Sequence, residues 1–148
     1  MAGIAVAAAP SVLETLLGSC VGIALWCPET RLGSLAHVML GESQGRMDQP
    51  GRFVDTAIPA MLKELLQKGA HRGGLSAKLC GGAQMFKTAS GNHEVGRRNV
   101  EKAVELLCLL RIPVVAQHVG GTAGRVIAFD LQSSAISIKI GRDVVAVI

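Results

Sequence analysis

Short apolar runs, separated by glycine, proline and polar turns, recur along the whole chain of 148 residues. Apolar runs of about four to eight residues between such breakers are typical of buried strands, since helices need longer periodic segments. The pattern predicts strands at residues 4–9, 12–17, 21–26, 32–40, 75–80, 112–118, 124–129, 134–140 and 143–148. On the strand at 32–40, Leu35, His37 and Met39 share one face because side chains alternate along a strand.

Two longer segments show the period of amphipathic helices instead. The first runs from Asp55 to Lys68, with Asp55 predicted as its N-cap and Gly69 as its C-terminal stop. The second runs from Arg98 to Leu110. Their predicted inward residues are Ile58, Met61, Leu62, Leu65 and Leu66 in the first helix, and Val100, Ala103, Val104, Leu107 and Cys108 in the second.

The order of these elements predicts the fold class. Many short strands with only two long helices do not alternate regularly enough for a doubly wound parallel sheet. We therefore expect an α+β fold, a mixed β-sheet sandwich flanked by two main helices. A chain of 148 residues fits one domain of ordinary size, so residues 1–148 are expected to form a single compact domain.

Composition excludes several classes of protein. Apolar residues make up 49% of the chain and charged residues 18%, which excludes a disordered chain. The net charge of +4 is spread over several segments, and the chain has one Trp, three Phe and no Tyr. Proteins that bind single-stranded nucleic acid stack bases on aromatic side chains, so no nucleic-acid partner is expected.

The first 28 residues carry one charge, Glu14, and include a Leu-Gly-Ser-Cys string that suggests a lipoprotein signal lipidated at Cys20. A signal peptide opens with basic residues, however, and the first arginine here is Arg31. Pro10 and Glu14 also divide the stretch into pieces shorter than the roughly 20 residues of a membrane span. We therefore expect a cytoplasmic protein with reduced thiols and no membrane insertion.

Cys20 follows Gly18-Ser19 and precedes a predicted buried strand, and His37 lies on the next strand. If these strands pair through their turn so that opposed residues sum to 57 or 58, Cys20 and His37 become cross-strand neighbours with Cβ atoms about 5 Å apart. A thiol with an ordinary pKa of about 8.5 needs such a partner base to act as a nucleophile at neutral pH. The alternative is that Cys20 is a small buried apolar residue and His37 a hydrogen-bonded core histidine.

The other cysteines are expected to serve packing. Cys27 is an odd number of residues from Cys20 and so points to the opposite face, which disfavours a disulfide or a shared metal site. Cys80 abuts Gly81-Gly82 and is predicted to be a buried strand end. Cys108 is predicted to lie in the core.

Three further histidines are candidates of lower rank. His71 follows the first helix and is predicted to be solvated. His93 lies in a polar loop. His118 precedes Gly120-Gly121 and is the only other histidine expected near a cleft.

Several strings in the chain resemble the CheD family of chemoreceptor glutamine deamidases, in the family's order and over nearly the whole length. They are Thr15–Gly22 (TLLGSCVG), Ala36–Leu40 (AHVML), Arg52–Ile58 (RFVDTAI), Ala77–Phe86 (AKLCGGAQMF), Val95–Glu101 (VGRRNVE) and Gly120–Arg125 (GGTAGR). The resemblance implies a compact α/β sandwich and a cysteine-type amidohydrolase. Its substrates would be particular glutamine side chains on the cytoplasmic helices of methyl-accepting chemotaxis receptors, converted to glutamate.

The resemblance also implies roles for individual residues. The family's nucleophile falls on Cys20, its histidine on His37, and its third catalytic member on Thr15. In some members the third residue lies one position further from the cysteine, where this chain has Glu14, and the histidine block often ends in proline where this chain has Gly41. No metal or organic cofactor is implied. The family's other expected partner is a CheC-type phosphatase, and the alternative function is a non-catalytic or dual-role regulator of that phosphatase.

Overall fold

Two β-sheets pack face to face in the computed structural model of the chain, which describes residues 2–85 and 94–148. The larger sheet has the strand order β1 (Ile4–Ala8), β4 (Leu32–Val38), β3 (Val21–Cys27), β5 (Ser76–Gly81), β6 (Val114–Val119). The smaller sheet has the order β2 (Val12–Leu17), β7 (Arg125–Asp130), β8 (Ile136–Ile140), β9 (Asp143–Val147). Every predicted strand forms, with ends within two residues of those expected. Only the pair β5–β6 is parallel among these strands.

Two helices, α1 (Val54–Gln67) and α2 (Val95–Leu109), cover the outer face of the larger sheet. One apolar core lies between the helices and this sheet, and a second lies between the two sheets. The layers are therefore helices, larger sheet and smaller sheet, which confirms the predicted α+β sandwich flanked by two main helices. Neither α1 nor α2 is long and apolar enough to cross a membrane.

The start of α1 differs from the prediction. Phe53 is the N-cap residue, and its side chain makes no capping hydrogen bond. Asp55 lies in the first turn, where its carboxylate accepts hydrogen bonds of 3.0 Å from the backbone N–H and the hydroxyl of Ser43. Asp55 therefore fixes the loop after β4 instead of capping the helix. Leu66, predicted to face inward, is 38% exposed.

The inward face of α2 is also rotated from the predicted one. The buried residues are Gly96, Asn99, Ala103 and Leu107. The prediction that Val104 and Cys108 face the core is wrong, because both are exposed. The helix docks through the backbone of Gly96, where an added Cβ would lie 2.6 Å from the carbonyl oxygen of Gly82. This close approach turns positions 104 and 108 toward solvent.

The predicted register between β3 and β4 is wrong as well. Opposed residues sum to 59, so that Gly22 faces His37 and Cys27 faces Leu32. Four residues, 28–31, form the connecting turn, and Arg31 adopts a left-handed conformation with φ of 52°. Cys20 is therefore a diagonal neighbour of His37 and is not directly opposite it.

Candidate active site

The Gly18-Ser19-Cys20 turn carries the chain from the smaller sheet to the larger one, since β2 ends at Leu17 and β3 begins at Val21. Two backbone hydrogen bonds hold this turn. The N–H of Gly82 donates to the Cys20 carbonyl at 2.8 Å, and the N–H of Ala83 donates to the Gly18 carbonyl at 2.9 Å. The Cys20 side chain is half-buried against the core between the sheets.

Thr15 and His37 meet across the space between the two sheets. Along β2, Leu13, Thr15 and Leu17 turn inward while Glu14 is exposed. Thr15 Oγ1 lies 2.8 Å from His37 Nδ1, within hydrogen-bond distance. Of the two positions left open by the sequence, Thr15 thus contacts the histidine, and Glu14 faces away from it.

The other nitrogen of the His37 ring has a different environment. Nε2 is buried and has no hydrogen-bond partner within residues 2–85 and 94–148. The Cys20 thiol, which belongs to this described part, therefore does not form a hydrogen bond with it. A buried ring nitrogen without a partner is costly in a purely structural histidine, so this atom has unused capacity to accept or donate a proton.

Gly22 lies beside the two candidate residues and packs closely against the smaller sheet. It lies directly opposite His37, and Cys20 lies two residues before it, in the turn that precedes β3. A Cβ at Gly22 would lie 2.9 Å from Leu17 Cδ1 and 3.0 Å from Ile127 Cδ1. A larger residue at this position would therefore have to displace side chains of the smaller sheet beside His37.

Burial shifts both titratable groups toward their neutral forms. It raises the pKa of the Cys20 thiol above that of a free thiol, although the adjacent backbone N–H of Cys20 partly offsets this. It lowers the pKa of His37 below its ordinary value of 6.5. The resting pair at neutral pH is therefore a thiol and a neutral imidazole, and an imidazole in that state can accept a proton.

A cleft of about 290 Å³ leads to the His37 ring between β1 and β2. Its lining includes Ile4, Leu13, Thr15, Leu35 and His37. A larger concavity of about 770 Å³ lies between residues 40–46 and α2, and neither Cys20 nor His37 lines it. His37 and Thr15 therefore line the smaller cleft, whereas Cys20 lines neither of these two concavities.

The remaining cysteines fall on both sides of the larger sheet. Cys27 is buried in the core beneath the helices, whereas Cys20 contacts the core between the sheets, as their odd spacing predicted. Cys80 is fully buried between the sheets, which confirms it as a buried strand end, and burial raises its pKa to about 11. The prediction that Cys108 is a core residue is wrong, as its exposed position on α2 shows.

Among the other histidines, His71 is solvated as predicted, with a side chain 75% exposed. His118 is half-buried, and its Nδ1 lies 2.7 Å from Nη1 of Arg125. His93 lies outside the described residues. No group of three or more His, Cys, Asp and Glu side chains within residues 2–85 and 94–148 is arranged to hold a metal ion.

Sequence reasoning missed two buried polar residues near the Cys20 turn and the strand that carries His37. Asn99 is 2% exposed, and its amide donates to the Met39 carbonyl at 2.9 Å, which ties α2 to the end of β4. Arg125 is 3% exposed and opposes Leu17, at the end of β2 that leads to Cys20. Both lie in strings that carried the family resemblance, and that position in the matching strings was the available signal.

Comparison with known proteins places the chain among chemotaxis proteins. Residues 39–140 match the family model described as CheD chemotactic sensory transduction. A protein of Methanococcus vannielii named probable chemoreceptor glutamine deamidase CheD is 37% identical over 97% of this chain and 94% of its own length. Proteins with the same name from Moorella thermoacetica (46% identity, 90% of this chain and 84% of theirs) and Lachnoclostridium phytofermentans (44%, 94% and 89%) are also similar. The chain belongs to the CheD family, which confirms the resemblance noted in its sequence.

Proposed function

We propose that this protein is a chemoreceptor glutamine deamidase that hydrolyses glutamine side chains to glutamate and releases ammonia. Its substrates would be methyl-accepting chemotaxis receptors, at their helices in the cytoplasm. Membership in the CheD family and the names of the relatives support the reaction and the substrate class. The observation that carries the assignment of residues is the hydrogen bond between Thr15 and His37 beside the Cys20 turn.

Thr15 sets the tautomer of His37 in this proposal. The threonine hydroxyl can accept the Nδ1–H of a neutral imidazole, as the 2.8 Å distance permits. That tautomer leaves a lone pair on Nε2, the ring atom without another partner in the described part of the chain. Because burial lowers the pKa of His37, the ring is neutral and ready to act as a base at neutral pH.

The first half of the reaction forms a thioester. As the Cys20 sulfur attacks the glutamine carboxamide carbon, His37 Nε2 takes the thiol proton. The C=O electron pair moves to oxygen and gives a tetrahedral oxyanion. When the carbonyl re-forms, the C–N bond breaks, and the proton from His37 goes to the nitrogen, which leaves as ammonia.

Water completes the second half of the reaction. His37 takes a proton from water as the oxygen attacks the thioester carbon, and the C–S bond then breaks. The glutamate side chain leaves, and the proton returns to the Cys20 sulfur or to solvent. The oxyanion in each half needs fixed donors, and the backbone N–H of Cys20, which lies beside its own sulfur, is the nearest candidate.

The test uses a cytoplasmic receptor fragment that carries glutamine at its modification sites. Incubation with the wild-type protein is expected to release ammonia. It is also expected to increase the mass of the receptor peptides that contain converted glutamines, as measured by mass spectrometry. Cys20→Ala is expected to abolish both signals, and His37→Ala to lower the rate by roughly 10²–10⁴-fold.

Cys108→Ala is the matched control, because it removes an exposed cysteine on α2. Circular dichroism and thermal unfolding of each variant check that the fold is intact. A folded Cys20→Ala variant that releases ammonia at the wild-type rate would contradict the assignment.

A further inference from the structure

Arg125 is a buried cation held by neutral acceptors. The residue is 3% exposed, and Nη1 donates to the His118 carbonyl at 2.8 Å and to His118 Nδ1 at 2.7 Å. Nη2 donates to the carbonyl of Gly120 and, at 3.4 Å, to that of Ala123. Within residues 2–85 and 94–148, no carboxylate pairs with this guanidinium.

A buried arginine without a counter-charge is costly for stability, so its presence calls for a role beyond packing. Its Nε atom is also buried and has no hydrogen-bond partner among the described residues. The contacts that it does make all serve one segment, the glycine-rich loop of residues 118–124. A guanidinium cannot accept a hydrogen bond, so His118 Nδ1 is the acceptor, and a neutral His118 carries its proton on Nε2.

The loop held by Arg125 contacts the segment that follows β5. The N–H of Gly120 donates to the Gly81 carbonyl at 2.9 Å, and the Gly121 carbonyl accepts the N–H of Gln84 at 2.8 Å. Both Gly120 and Gly121 have positive φ, of 79° and 74°. These conformations allow the loop to turn back onto residues 81–84, where residues with a Cβ would be strained.

Residues 81–84 in turn hold the nucleophile turn. The N–H of Gly82 donates to the Cys20 carbonyl at 2.8 Å, and the N–H of Ala83 donates to the Gly18 carbonyl at 2.9 Å. A Cβ at Gly81 would lie 2.3 Å from the Cys20 carbonyl oxygen, so the two backbones are in direct contact. A chain of backbone hydrogen bonds thus connects the guanidinium to Cys20.

We propose that Arg125 is a positioning residue for the deamidation proposed above: it fixes the loop 118–124, and through residues 81–84 it fixes the Cys20 turn. This role rests on the proposed function. It requires an arginine, because four acceptors in different directions match the planar fork of guanidinium donors and not a single ammonium group. A nucleophile displaced by about 1 Å can lose about 10²-fold in rate.

The experiment compares Arg125→Lys and Arg125→Met with the wild type, and with Lys78→Met as the matched control. Lys78 is also a half-buried cation that donates to two carbonyls, those of Ser134 and Ile148, but its contacts do not lead to Cys20. Two quantities are measured well below each variant's melting temperature. One is kcat and KM for ammonia release from the receptor fragment. The other is the rate of Cys20 alkylation by iodoacetamide from about pH 6 to about pH 11, a range that extends well above the free-thiol pKa of about 8.5.

Both Arg125 variants are expected to lower kcat by about tenfold or more, with KM little changed, and to shift the pH profile of Cys20 alkylation. Lys78→Met should leave the profile and kcat at wild-type values. An unchanged alkylation profile in a folded Arg125 variant overturns the positioning role, and so does loss of the fold in both variants, which would make Arg125 structural only. Alkylation needs no receptor, so a shifted profile with no ammonia release from the wild type would overturn the proposed function alone.

Discussion

Thr15 Oγ1 and His37 Nδ1 lie 2.8 Å apart and join the smaller sheet to the larger one. An imidazole held by one ring nitrogen has a fixed direction for the other, so this contact determines where Nε2 points. The contact forms beside a core between the two sheets that is built from apolar side chains. Replacement of Thr15 is therefore the most direct probe of how His37 is held.

Thr15→Val and Thr15→Ala are expected to lower kcat for ammonia release by about 5- to 150-fold. This decrease corresponds to about 1–3 kcal/mol, the cost of leaving the buried Nδ1 of His37 without its partner. Thr15→Ser keeps a hydroxyl and should retain most of the activity. Steady-state kinetics on the receptor fragment measures both effects. A Thr15→Val variant as active as the wild type would show that this hydroxyl does not orient the base.

The pH dependence of kcat/KM follows from the burial of His37. A protonated imidazole cannot take the Cys20 proton, so the rate should rise with pH as His37 loses its proton. Burial lowers the pKa of His37, which places the midpoint of this rise below 6.5. Burial raises the pKa of Cys20, so direct ionisation of the thiol should appear only above pH 9.0.

Rate measurements at saturating and limiting receptor concentrations from acid to alkaline pH give this profile. The rate of Cys20 alkylation in the His37→Gln variant serves as the control. Without the imidazole, the rise of this rate near the pKa of His37 should vanish. A midpoint above 6.5 would contradict a buried neutral base at this position.

The four cysteines should react in an order set by burial. Iodoacetamide is expected to modify exposed Cys108 first and half-buried Cys20 next, while buried Cys27 and Cys80 remain protected until the protein unfolds. Peptide mass spectrometry at successive times identifies each modified residue. Activity should persist when only Cys108 is alkylated and disappear in step with modification of Cys20. Full activity after complete alkylation of Cys20 would exclude it as the nucleophile.

Gly96→Ala should destabilise the protein by about 1–3 kcal/mol, since the new Cβ would lie 2.6 Å from the Gly82 carbonyl oxygen, and backbone atoms on both sides limit relaxation. Activity should fall as well, because the N–H of Gly82 holds the Cys20 carbonyl. Urea denaturation gives the free energy of unfolding. Gly73→Ala is the matched control, since no atom lies within 4 Å of its added Cβ. A Gly96→Ala variant as stable as this control would show that α2 does not dock as tightly as the contact implies.

Local sequence patterns were sufficient for the secondary structure and for the identity of the candidate residues. Apolar runs between glycine and proline located the strands, and the helical period located both helices, since these signals depend on neighbours along the chain. The string around Cys20 and the string around His37 indicated the family, and with it the two residues of the proposed dyad. The resemblance placed the family's third member on Thr15, although the longer spacing of some members would place it at the position of Glu14.

Only the tertiary structure decided how these elements meet. The turn of residues 28–31 shifted the β3–β4 register, which placed Gly22 opposite His37 and made Cys20 a diagonal neighbour. The pairing of β2 with β7 turned Thr15 inward and Glu14 outward, since a strand alternates its side chains between two faces.

The remaining differences have the same physical origin. The face of α2 was set by the contact of Gly96 with Gly82, and the role proposed for Arg125 rests on a loop that contacts residues 81–84 and through them Cys20. These contacts join segments far apart in the chain, and local periodicity carries no information about the distance between them. The sequence by itself determined the strands, the helices and the candidate residues, while long-range packing determined which of those residues meet.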